Sequence, residues 1–187
     1  MADESYFVMS DTGEIPGRWY LNHPTTCEGE EVDPWQFTAG QRLDFREPLV
    51  FTQFQHGRAL PFSLAAYEIP VVDEETGNVL RAVSGDDLEL LPAIIEGQDA
   101  PFWIANVVNA MECVDEARSR FTRFTPEHHP DRAGEYQMFI ELKIDPARVV
   151  GHQVFRIKGW EAPLIVSDRV RTAMEARALP GLVFTPV

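Results

Sequence analysis

The stretch LIVSDRVRTAMEARALPGLVFTPV, residues 164–187, carries the clearest structural signal in the chain. Ser167 offers a side-chain oxygen to the free amides of a helix start, and Asp168 suits the positive end of the helix dipole. Val170, Ala173, Met174 and Ala178 then share one helical face. Pro180-Gly181 stops the helix, and Leu182–Thr185 reads as a closing strand. Helix and strand in direct succession at this end set the fold class.

Upstream, short strand-like runs dominate, broken by Gly, Pro and Asp. Met138–Ile144 alternates as a strand, with Gln153–Ile157 as a candidate neighbour. Phe102–Val114 stays open between helix and strand: its apolar positions have helical spacing, yet its aromatics and Val107-Val108 suit a strand. Leu88–Ile95 reads as a buried strand, with Pro92 marking an edge or bulge. Val71–Val83 reads as a short helix capped by Asp73, with Glu74 and Glu75 in its first turn and Gly77 against it. Leu60–Ile69 has no firm type. Tyr6–Ser10 and Arg18–Leu21 are short strands, and Asp33-Pro34-Trp35 is a turn that presents an aromatic. No linker, repeat or low-complexity run divides the chain. These signals predict one α+β domain over 1–187, with a mixed, largely antiparallel sheet and two or three helices.

Charge is split along the chain. Residues 1–100 carry 19 Asp/Glu against five Arg and no Lys, while residues 101–187 carry 11 of each sign. The formal charge of −14 therefore belongs to the first half. It gathers at Glu28, Glu30, Glu31 and Asp33, at Asp73, Glu74 and Glu75, and at Asp86, Asp87 and Glu89. Such a field attracts a basic partner and repels nucleic acid and anionic membranes. The first residues show no basic region followed by an apolar run, and no apolar stretch approaches the ~20 residues that span a bilayer. Two cysteines, Cys27 and Cys113, fit a reducing compartment. The expectation is a soluble, cytoplasmic protein.

Catalytic and metal signatures are weak. Asp11-Thr12-Gly13 imitates the aspartic-protease signature, but that chemistry needs two carboxylates sharing a proton. His128 and His129 are adjacent, so on an extended chain they point to opposite sides and do not ligate one metal together. Cys113 is flanked by Glu112, Asp115 and Glu116, which disfavour a thiolate nucleophile. We therefore expect no catalytic residue, metal or cofactor. The loop from Glu28 to Asp33 has no local structural duty, and it leads into Trp35. Glu28, Glu30, Glu31, Asp33 and Trp35, with Asp86, Asp87 and Glu89, are the candidate partner-binding residues.

A series of segments runs in order along nearly the whole chain. These are Gly17-Arg18-Trp19-Tyr20-Leu21; Asp33-Pro34-Trp35-Gln36-Phe37-Thr38 with Gly40; Ile69-Pro70-Val71-Val72; and Leu90-Leu91-Pro92. Further on come Trp103-Ile104-Ala105-Asn106-Val107-Val108, Cys113-Val114-Asp115, Phe155 to Trp160, Leu164 to Ser167 and Gly181 to Val187. Together they resemble immunity protein family eleven of bacterial polymorphic toxin systems, formerly a domain of unknown function. The chain departs from the family pattern at Ala105, where a bulkier aliphatic is usual, and at Glu112, where Asp is. The resemblance implies a cytosolic protein that binds and neutralises a cognate toxin, often a nuclease, without catalytic residues of its own. Most of the resembling residues, such as Trp19, Trp103, Phe155 and Phe184, are core types and not site types. Two rival readings remain: an acidic regulatory module with a non-toxin partner, and a hydrolase centred on Asp11 or a histidine.

Overall fold

Both predicted helix caps are used. In the computed structural model, which describes residues 5–187, the Ser167 side chain accepts from the amide of Val170 and the Asp73 side chain from that of Thr76. The elements begin with β1 (Tyr6–Asp11), β2 (Tyr20–Leu21), β3 (Leu49–Phe51), β4 (Gln53–Gln55), β5 (Phe62–Ala65) and β6 (Ile69–Asp73). Helix α1 (Glu74–Ser84) leads to β7 (Leu88–Ile95), β8 (Phe102–Val107) and β9 (Ala110–Met111). Then come β10 (Arg120–Arg123), β11 (Tyr136–Glu141), β12 (Val154–Ile157), β13 (Trp160–Ser167), α2 (Asp168–Glu175) and β14 (Leu182–Pro186).

The expected single sheet is two. One five-stranded sheet runs β14-β1-β13-β12-β9 and the other β3-β7-β8-β6-β5, with two-stranded ribbons β10-β11 and β2-β4 beside them. Each large sheet is mixed: β9 with β12 and β3 with β7 are parallel, and the other pairs are antiparallel. Short strands in this number twist too strongly to stay in one open sheet, so they divide into packed layers. The α+β class and two α-helices stand.

Packing explains the readings that went astray. One core cluster joins Met9, Val154 and Val166 of the first sheet to Val72, Ala105 and Val107 of the second, with Leu80 of α1 and Val170 and Met174 of α2 among them. The second sheet covers another cluster on its far face, around Trp19, Phe37, Phe51 and Ile104. The first sheet does the same around Tyr6, Phe155 and Ile165. Strands buried on both faces lose alternation, which is why Phe102–Val107, buried at five of six positions, looked half helical. Val71 to Asp73 is strand, and the helix begins only after its cap. Gly77 has its purpose there: a Cβ would lie 3.3 Å from Leu90 and Val72, so glycine lets α1 settle on the sheet. Pro92 is not on an edge strand, but β3 pairs β7 only from Ala93 onward, just past the missing amide.

The strand at 138–144 shifts to β11, and its partner is β10 rather than Gln153–Ile157, which pairs with β13 and β9. Helix α2 stops at Glu175, short of Pro180, and Ala178 has φ +48 beyond it, outside the predicted face.

The charge boundary is also a structural one. Apart from β8, the second sheet and the loops covering it come from the acidic half; apart from β1, the first comes from the neutral half. Asp11, at the end of β1, ties them together. Its carboxylate takes an ion pair from Arg18 and a 2.9 Å hydrogen bond from the Leu64 amide on β5. Arg18 is buried and also donates to the Thr12 and Trp19 carbonyls, at 2.6 and 3.2 Å. The protease-like Asp-Thr-Gly is thus a clasp, its partly buried Asp11 closed on the buried Arg18. Asp11→Ala strands the Arg18 charge and the Leu64 amide, so we expect a loss of about 3–5 kcal/mol, read as a lower denaturant midpoint at unchanged slope. An unmoved midpoint would contradict the clasp.

Candidate partner-binding surface

Val32 and Phe37 are buried, and between them the chain makes a single 3-10 turn, Pro34–Phe37. Asp33 caps it by accepting from the Trp35 amide at 3.1 Å, while Gln36 Nε2 donates to the Asp33 carbonyl at 2.8 Å. Thr38 Oγ1 donates to the Trp35 carbonyl at 3.2 Å. Anchored on both sides and bonded within, the turn holds Trp35 outward with 63% of its surface exposed. Downstream, Gly40 has φ +67, and a Cβ there would meet the Ala110 amide at 2.6 Å, so the loop passes close against β9. The aromatic is mounted on a braced turn.

Glu28, Glu30 and Glu31 are exposed on the preceding loop. Thr26 closes it by accepting the Gly29 amide at its carbonyl, at 3.0 Å, and the Glu30 amide at its hydroxyl, at 3.1 Å. The loop is pinned to β3 by reciprocal bonds between Thr25 and Val50, both 2.9 Å. These three carboxylates, Asp33 and Trp35 therefore lie along one continuous, structured loop.

The third acidic run lies elsewhere and has other tasks. Asp87 is 7% exposed; its oxygens meet His152 Nδ1 at 2.7 Å, Asn109 Nδ2 at 2.7 Å and the Gln153 amide at 2.6 Å. That carboxylate fastens the end of α1 to the start of β12. Glu89 accepts from the Leu43 amide at 2.7 Å and Asn106 Nδ2 at 2.8 Å, holding the 41–43 segment on the second sheet. Asp86 alone of this run is exposed.

The sequence reading missed Tyr67. It lies in the untyped 60–69 segment, 44% exposed, with its ring 5.0 Å from Trp35 and 5.8 Å from His23. Its φ of +63, followed by +58 at Glu68, is a left-handed conformation that no sequence signal announces for non-glycine residues. Beneath the turn, the fully buried Arg156 donates to the Glu68 carbonyl at 3.3 Å and the Ala162 carbonyl at 2.6 Å. Burial pushes its guanidinium down to about 10, which still leaves it charged at neutral pH.

The other candidates from the sequence have local partners. His128 Nδ1 lies 3.0 Å from Thr125 Oγ1, and His129 stacks edgewise on Phe124 at 4.8 Å. Among the described residues, no group of three or more His, Cys, Asp or Glu is placed to hold a metal ion. Cys113 borders a cleft of about 960 Å³ whose charges are paired, Lys158 with Glu112 at 2.7 Å and Arg148 with Asp145 at 3.2 Å. Burial pushes its thiol up to about 12, so it holds its proton across the physiological range. Cys27 is exposed. A thiol reagent at pH 8 should therefore label one cysteine per native chain and two after denaturation; rapid labelling of Cys113 in the native protein would contradict its burial.

No helix of the described residues is long and apolar enough to cross a membrane. No curated protein matches the sequence. A family model, the Immunity protein family (Imm11), matches residues 6–187. Nearly the whole chain is covered, so this protein belongs to the Imm11 immunity protein family and has a role in immunity to a toxin.

Proposed function

We propose that this protein, acting as one domain in the cytoplasm, neutralises a basic toxin, a nuclease, by stoichiometric non-covalent binding through the acidic half of the chain. It is an inhibitor and not an enzyme. Family membership supports the toxin partner; the observation that carries the rest is the braced loop bearing Glu28, Glu30, Glu31, Asp33 and Trp35. A nuclease presents cationic groups to phosphates, and carboxylates on a firm mount can occupy them in place of the substrate. Opposite fields also raise the encounter rate, which matters when a toxin must be caught before it acts. Asp86 adds to the same long-range field, whereas Asp87 and Glu89 contribute by shaping the support.

The alternative of a regulatory module with a non-toxin partner would use the same surface. A hydrolase centred on Asp11 has no support in the geometry, because that carboxylate is occupied by Arg18 and the Leu64 amide.

The test uses the reading frame adjoining this protein's gene. Expressed alone it should arrest growth, and co-expression of this protein should restore it. Converting Glu28, Glu30 and Glu31 together to Lys should slow association at least tenfold at low salt and leave dissociation less affected, measured by surface plasmon resonance. Unchanged association at low salt would remove the loop from the interface.

A further inference from the structure

Tyr67 and Glu68 are consecutive non-glycine residues in the left-handed region, and each such conformation is disfavoured for an L-residue. The surroundings hold them there: Arg156 grips the Glu68 carbonyl from below, and β5 and β6 pair in register on either side of the turn. What the turn delivers is an aromatic ring at the surface, set edge-to-face on Trp35 at 76°. Conformational strain that ends in an exposed aromatic pair is unexplained by packing, since both rings remain substantially open to solvent.

Acidic residues adjoin the pair along the chain. Asp33 is two residues before Trp35, Glu28, Glu30 and Glu31 are on the loop leading to it, and the exposed Glu68 follows Tyr67. Arg132, which lines a shared cleft with Trp35, is already engaged, 4.3 Å over the Phe124 ring and 2.9 Å from Glu135. Exposed rings on a carboxylate-bearing surface suit one kind of group: a planar cation that can stack on an aromatic and donate hydrogen bonds to carboxylates from its edge. That describes a guanidinium better than an ammonium, which is compact and more strongly hydrated.

We propose that Trp35 and Tyr67 form a seat for an arginine side chain of the partner, the anchoring contact of the interface. This rests on the reading of a basic protein partner. The acidic loop steers, and the aromatic pair holds: charge acts mainly on association and a desolvated aromatic contact mainly on dissociation.

Octa-arginine and octa-lysine peptides of equal charge are the probes, at about 0.15 M salt where distant charges are largely screened. We expect octa-arginine to shift the Trp35 indole N–H resonance, assigned by its loss in Trp35→Phe, and to bind several-fold tighter than octa-lysine. Trp35→Ala or Tyr67→Gly should abolish that preference, whereas the triple Lys variant of Glu28, Glu30 and Glu31 should weaken both peptides alike. Tyr67→Gly should also leave the melting temperature unchanged or raised, because glycine accepts the positive φ; a residue kept for folding would lower it. Equal affinity for the two peptides with an unshifted Trp35 indole overturns the seat. With the adjoining toxin, Trp35→Ala that neutralises as well as the parent also overturns the seat while leaving the immunity role intact. A protein that keeps the arginine preference but fails to neutralise that toxin sustains the seat and overturns the toxin reading instead.

Discussion

The ion pair between the buried Arg18 and the partly buried Asp11 is the constraint on which the two-sheet arrangement turns. A guanidinium taken out of water costs several kcal/mol unless its donors are met, and here they meet one carboxylate and two carbonyls. The same carboxylate reaches the Leu64 amide, so satisfying the charge fixes β1 of one sheet against β5 of the other. Arg156 also bridges the sheets, reaching from β12 to the Glu68 carbonyl in the turn between β5 and β6. Apolar burial between the sheets supplies most of the stabilisation, but it is non-directional. The two arginines set which residues meet.

That arrangement bears directly on the proposed interface. The left-handed turn at Tyr67 is held from beneath by Arg156, and Trp35 is held by a capped turn between two buried anchors. A binding surface mounted on such supports loses little conformational freedom when a partner arrives, which favours slow dissociation. The carboxylates stand on a loop closed by Thr26 and pinned to β3 by Thr25, with their heads in solvent, so they act through the long-range field as well as by contact.

Local signals in the sequence were legible wherever one interaction decides the structure. Ser167 and Asp73 announced their helices because a cap depends on a side chain and an amide three residues on. Leu88–Ile95 was readable as a strand for its dense apolar run, interrupted only by Glu89 and Pro92. The division into two sheets was not readable, since it depends on which strands pair across long separations, as β1 does with β13 and β14. Asp87 and Glu89 looked like members of an acidic face; only the fold reveals that His152, Gln153, Asn106 and Leu43 occupy them. Tyr67 left no trace at all, because its position is imposed by tertiary contacts on a backbone that its own preferences oppose.

The central claim is inhibition by occupancy, and titrating the toxin encoded beside this protein's gene tests it most directly. Residual toxin activity should fall in a straight line with added protein, reach its floor at one equivalent, and return when the complex is dissociated at high salt in the presence of denaturant and refolded. Loss of toxin activity that proceeds with time at far less than one equivalent would mean turnover, and would contradict the account.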